Sequence, residues 1–371
     1  MGVINNDKQL CELTNVLLSD DKRDMYSFFL ERIKANCDSY AIKDKRKSLE
    51  KLYNNYFQTN IDRKLIKAIV MPLIYGKTGQ GFAINLKEFF AKENLYPKEI
   101  ALIILASQII KTLKNDPVFA NVNLFMKALR AIGAFMFEFD DFSIKGYYND
   151  SHIVYYKEEV EEIRIYYKQK GKKYKSQKIY LSKPARDISG CLIKSKTKSI
   201  NAFVANYIHF IDASICHYVV DNFNNKRTFK MGTIHDCFFI KPTEIPMLRD
   251  AYSNGLRWVY QIHIYNLLNW CYKICEYYNN KSHLKCFEQE LQEIKVFLDD
   301  SEQFINNRKT EVNISCLTNI KNVLLNIIPS ASVAEKQRIL TIIDYIDKIY
   351  LVNSPLLIDT DFGQLLFSDN S

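Results

Sequence analysis

The chain has 371 residues, 47% of them apolar and 25% charged, and its 51 Lys and Arg against 42 Asp and Glu give a formal net charge of +9. That much apolar material excludes a disordered or fibrous chain and allows one large or two moderate domains, while the charge suits a polyanionic partner without specifying one. Nine cysteines, an odd number without a framework, argue against a disulfide-stapled secreted scaffold, and no charged stretch followed by an apolar one opens the chain as a leader would. Residues 8–60 read as helical, with apolar residues at helical spacing from Leu10 and Leu13 to Phe29 and Ile33. A helix capped by Asp62 is expected through Ile74, then helices over 85–92, 97–114 and 122–138. From about 142 to 181 the composition turns β-branched and aromatic, interleaved with charge, which is strand and hairpin composition. Inside it the basic run from Lys168 to Lys175 reads equally as a nucleic-acid contact or a solvated hairpin tip. Residues 199–221 look helical, Phe229 to Ile240 look like a short strand–turn–strand, and helices return beyond Pro242. The expected class is α+β, mostly helical. The most apolar stretch, 100–110, is too short to span a bilayer, so no membrane role is expected.

Two constellations carry chemistry. In the first, Arg63, Lys67, Met71 and Tyr75 recur every fourth residue and form one stripe of a helix, cationic at one end and aromatic at the other. Such a stripe suits a nucleoside triphosphate, with cations on the phosphates and a ring near base and sugar, and Gly76 permits close backbone approach. Pro72 inside the same stretch argues against an ordinary regular helix. In the second, Asn206-Tyr207-Ile208-His209 precedes Gly232-Thr233-Ile234-His235-Asp236-Cys237-Phe238. A carboxylate in a tight turn between two apolar strands is well placed to hold a metal at fixed geometry.

The run from Ile61 to Gly76 resembles the nucleotide-binding helix of the phage and mitochondrial single-subunit DNA-directed RNA polymerases, Pro72 included. The His209 block and the His235-Asp236 turn resemble two further motifs of that family in the same order, with Phe210 where Ser is usual and Cys216-His217 displacing the next His by three residues. The resemblance implies a right-hand polymerase fold and template-dependent ribonucleotidyl transfer with Mg²⁺. It also implies roles: Lys67 catalytic at the triphosphate, Arg63 on the phosphates, Tyr75, Gly76 and His209 around the nucleotide with Tyr75 and His209 sensing the ribose 2′-OH, and Asp236 both catalytic and the metal ligand. DNA template, nascent RNA and ribonucleoside triphosphates are the partners implied, and a mitochondrial, organelle- or plasmid-encoded origin fits the A+T-rich codon usage. A family A DNA polymerase shares the Lys-to-Tyr-Gly spacing, but Met71 and Cys237 stand where that family has an aromatic residue and a glutamate.

The family's first catalytic aspartate lies in an Asp-Gly-Ser/Thr-like motif, and no such motif occurs in residues 1–60. The expectation is therefore one half of a split or fragmentary enzyme whose first aspartate comes from a separate chain, the alternative being a non-catalytic nucleic-acid-binding remnant. The boundaries expected are 1–60 helical, 61–197 fingers-like, 198–245 palm with the His-Asp motif, and 246–371 a helical C-terminal extension. Cys271, Cys275, His283 and Cys286 have a metal-like spacing, but Cys271 and Cys275, one turn apart beside Trp270, read as packed core.

Overall fold

The computed structural model describes residues 1–17, 23–43, 62–74, 79–92, 94, 96, 99–147, 159–167, 175–224, 231–234, 237–282, 287–306 and 315–351. Its elements are α1 (Lys8–Leu13), α2 (Met25–Lys43), α3 (Arg63–Ile74), α4 (Gly79–Lys92), α5 (Glu99–Asn115), α6 (Pro117–Phe139), β1 (Val160–Tyr167), β2 (Lys175–Pro184), α7 (Lys196–Asn224), β3 (Gly232–Ile234), β4 (Cys237–Phe239), α8 (Ile245–Ser282), α9 (Glu288–Asn306), α10 (Ser315–Ile327) and α11 (Val333–Ile346). The class is the expected one, mostly helical with two small antiparallel hairpins, β1–β2 and β3–β4.

The helix α6 is the centre of the fold. Asp116 caps it by accepting from Val118 N at 2.9 Å, Pro117 occupies the first turn, and Asp140 closes it in the left-handed region at φ 55°. Asp cap and first-turn Pro are the ordinary start signals, and the helix begins five residues before the expected 122. It is 23 residues long and apolar enough to cross a membrane, yet most of it is buried inside the protein, from Val118 and Phe119 to Phe135 and Met136. It packs on α7, α11 and α5. At the α6–α7 crossing a Cβ on Gly133 would stand 2.8 Å from the Phe203 ring. Glycine there costs helix stability of about 1 kcal/mol and permits the two backbones to approach.

The burial pattern of α7 shows why residues 196–224 form one long helix. Phe203, Val204, Tyr207, Ile211, Ile215, Tyr218, Val219 and Phe223 are buried at helical spacing, and His209, Asp212, Ala213 and His217 lie on the exposed face. Against its buried side lies α8, 38 residues long, which also carries α9 and α10.

The region of strand composition is less of a sheet than its residues suggest. Strands occupy 160–167 and 175–184, paired with Ile163 opposite Ile179 and Tyr166 opposite Ser176. The segment 141–146 is instead held by side chains of α8. Asn266 Oδ1 accepts from Lys145 N at 2.8 Å, Asn266 Nδ2 donates to Lys145 O at 2.9 Å, and Trp270 Nε1 donates to Ser143 O at 3.1 Å. With backbone groups satisfied by an amide and an indole, no neighbouring strand is needed there.

Candidate active site

Asp62 caps α3 as its position predicts, accepting from Leu65 N at 2.8 Å, and the helix continues through Pro72 to Ile74. Leu65, Ile66, Ile69, Val70 and Leu73 are buried, so the opposite stripe of Arg63, Lys67 and Met71 is turned outward. Tyr75 and Gly76 lie outside the described residues.

The end of that stripe meets residues that no motif singles out. Arg63 forks onto Asp24, with Nε donating to Oδ2 at 2.5 Å and Nη2 to Oδ1 at 3.1 Å. Asp24 is also the cap of α2, accepting from Tyr26 N at 3.3 Å, Ser27 N at 3.2 Å and Ser27 Oγ at 2.6 Å. The Tyr26 ring lies beneath both cations, 5.2 Å from the Arg63 guanidinium and 5.9 Å from the Lys67 ammonium. An acidic residue before an aromatic helix start was the available signal, and it marks a cap without revealing that Arg63 would reach it.

The Arg63 hydrogen bonds, helped by those from Ser27, hold the Asp24 carboxyl at about 2. Its folded value lies below the ordinary 3.8, so the stability it contributes is present above that value and is lost as the pH falls through about 2. The pair is exposed, so solvent screens it and its contribution to stability is small. A carbon-13 carboxyl titration should give an Asp24 midpoint near 2 in the wild-type chain and one close to 3.8 in Arg63→Gln. A midpoint that the substitution leaves in place would break the assignment to Arg63.

A cleft of about 370 Å³ lies between α3, α7 and α8. Met71 and Ile74 of α3 form one wall, Ile208, Ile211 and Asp212 of α7 another, and Tyr252 of α8 a third, with Met1–Ile4 among the rest of the lining. His209 is exposed beside Ile208 on α7. The β3–β4 hairpin confirms the expected strand–turn–strand, with Ile234 paired to Cys237, and His235 and Asp236 fall in sequence between those strands, outside the described residues. Phe238 of β4 packs edge-on against Tyr252, ring centroids 6.4 Å apart, so the hairpin is anchored to a residue that lines the cleft. The cleft thus joins the Met71 and Ile74 end of α3 to the face of α7 next to His209, and the hairpin reaches it through the Phe238–Tyr252 contact; Arg63, Lys67 and His209 do not line it.

A profile of the DNA-dependent RNA polymerase family matches residues 2–339. The chain belongs to that family. Its motifs place it with the phage and mitochondrial single-subunit type. The chain is also similar to a probable DNA-directed RNA polymerase of Neurospora crassa, 26% identical over 264 residues, which cover 64% of this chain and 28% of that protein. The chain therefore spans well under two thirds of this polymerase relative. The family match runs through α8, α9 and α10 into α11, so these helices lie within the polymerase-like region up to residue 339.

Two of the cysteines with metal-like spacing are core residues of this chain. Cys271 and Cys275 are fully buried, and burial pushes the Cys271 thiol up to about 12 and the Cys275 thiol upward as well, which disfavours the thiolate a metal needs. His283 and Cys286 lie outside the described residues.

Proposed function

We propose that this chain contributes the nucleotide-binding and second-carboxylate parts of a DNA-directed RNA polymerase active site. The observation that supports it is the cleft shared by Met71 and Ile74 of α3 with Ile208, Ile211 and Asp212 of α7, to whose Tyr252 wall the β3–β4 hairpin is attached through Phe238. In this reading residues 61–197 serve as fingers and 198–245 as palm. Lys67 neutralises the triphosphate and donates a proton to the leaving pyrophosphate, and Arg63 exchanges Asp24 for phosphate oxygens. Tyr75 and His209 sense the 2′-OH, and Gly76 lets the base approach. Template DNA, nascent RNA and ribonucleoside triphosphates are the partners, and a mitochondrial setting accords with the family.

Magnesium is the metal the family implies, with Asp236 as its ligand. Among the described residues no three His, Cys, Asp or Glu side chains converge to hold a metal ion. The described part of the chain does not fit a magnesium pair, and one carboxylate cannot hold two such ions. The first carboxylate is assigned to a separate polypeptide segment, since no Asp-Gly-Ser/Thr-like motif occurs before α3. The test is incorporation of labelled ribonucleotides on a primed DNA template, by the chain alone and by the chain co-expressed with a polypeptide that carries the missing motif. We expect no product from the first and synthesis from the second. Robust synthesis by the 371 residues alone would overturn the half-site reading.

One observation favours the second reading, a nucleic-acid-binding remnant without chemistry. The Arg63 fork, which would grip phosphate, is already satisfied by Asp24. Under either reading the β1–β2 ribbon is the surface we assign to nucleic acid. Tyr166 and Tyr180 are 66% and 64% exposed, and Arg164 and Lys178 lie among them.

A further inference from the structure

Behind α3, on the side away from the cleft, lies a second recess of about 320 Å³ between the ends of α3 and α5 and the flank of α6. Leu73 and Met126 line it as apolar residues, and Lys114, Lys127 and Arg130 supply three cations, with Asn123 between them. None of its lining residues among those described is acidic. Met71 and Ile74 face the cleft while Leu73 faces this recess, so one helix separates the two cavities.

Lys114 and Lys127 are exposed at the rim of the recess, and Arg130 is the partly buried cation of the three. Loss of solvent depresses the pKa of Arg130, with no carboxylate acting against that effect. A guanidinium does not deprotonate in proteins, so it remains a partly desolvated charge, which is costly until an anion meets it. The nearest carboxylate in sequence, Asp116, is committed elsewhere: it caps α6 and is bound by Arg32. Asn123 Nδ2 donates to Lys114 O at 3.2 Å, which ties the backbone at the end of α5 to α6. Three cations around one recess whose described lining has no acidic residue make it electropositive, which favours an anion there.

We propose that this recess is a phosphate-binding site distinct from the nucleotide cleft, taking the phosphate group of a free polyphosphate or of a nucleic-acid backbone. Arg130 supplies the planar fork that grips two phosphate oxygens, and Lys114 and Lys127 supply point charges around it. The volume lies within the range of small-ligand sites, roughly 300–1,000 Å³. The apolar floor formed by Leu73 and Met126 keeps the pocket shallow toward the core, so a bound phosphate would sit against the back of α3.

The test uses the full chain with two probes, sodium pyrophosphate by calorimetry and a labelled short DNA duplex by fluorescence anisotropy. The variants are Arg130→Gln and, as a control on an exposed cation outside the recess, Lys64→Ala. We expect Arg130→Gln to weaken binding of at least one probe tenfold or more, and Lys64→Ala to change it less than twofold. Loss confined to pyrophosphate identifies a free polyphosphate, and loss confined to the duplex identifies a backbone phosphate. The effective probe should also raise the melting temperature of the wild type and not of Arg130→Gln. Should Arg130→Gln fail to fold, Lys127→Ala carries the same comparison with a loss of at least threefold. Failure of both probes to bind the wild type, or binding that survives the recess substitutions unchanged, would overturn the site.

Discussion

In the reassembled enzyme, Asp236→Asn should lower ribonucleotide incorporation by at least ~10³-fold, about 4 kcal/mol of transition-state stabilisation. DNA binding should change less than about twofold. Asparagine keeps the size and one oxygen of the side chain and removes the charge that a metal-bound phosphoryl transfer requires. The expectation follows from place as well as chemistry: residues 235 and 236 join two three-residue strands whose neighbour Phe238 is fixed against Tyr252 in the cleft wall. The comparison also separates the two functional readings. A catalytic half-site loses turnover and keeps template. A remnant shows no turnover to lose even after the missing motif is supplied. Undiminished synthesis by the Asn variant would remove Asp236 from the site and leave the hairpin a structural turn.

How much of this was legible beforehand depends on how local each feature is. The α3 helix was written in residues 62–74, because its cap, its buried stripe and its cationic stripe all repeat within one element. The β3–β4 hairpin was equally local, since two short apolar runs flank a polar pair. What sequence did not show is what each stripe would face. Asp24 reaches Arg63 across 39 positions, and nothing in either segment announces the other. The segment near residues 141–146 misled in a related way. Its aromatic and β-branched content suits a strand, but Asn266 and Trp270, over 120 residues later, took up its backbone groups first. The recess behind α3 was hidden for the same reason, because Lys114, Lys127 and Arg130 are ordinary surface cations until two helices are packed side by side.

The largest stability effect should come from His263, which neither functional constellation includes. Its ring is completely buried, with Nδ1 2.6 Å from the Tyr207 hydroxyl and Nε2 2.9 Å from the Tyr345 hydroxyl. Tyr345 donates onward to Asn5 Oδ1 at 3.2 Å, so it accepts from His263 Nε2–H, and Tyr207 donates to the other nitrogen. One neutral imidazole thus joins α7, α8, α11 and the N-terminal segment. His263→Ala should cost about 3–5 kcal/mol by urea unfolding, because it opens a cavity, takes the acceptor from the buried Tyr207 hydroxyl and removes the donor to Tyr345. Burial drives the pKa of His263 from the ordinary 6.5 to about 3. The sign follows directly: the unfolded chain binds a proton in that window and the folded chain does not, so stability is full above 6.5 and declines toward 3. The slope from this one group approaches ~1.4 kcal/mol per pH unit. His263→Phe, which fills the space and cannot titrate, should therefore lower stability at neutral pH while flattening its acid dependence by that amount. A His263→Phe chain with the wild-type acid slope would show that the imidazole is not held neutral, and the buried tyrosine–histidine junction would lose its role in fixing the register of α7.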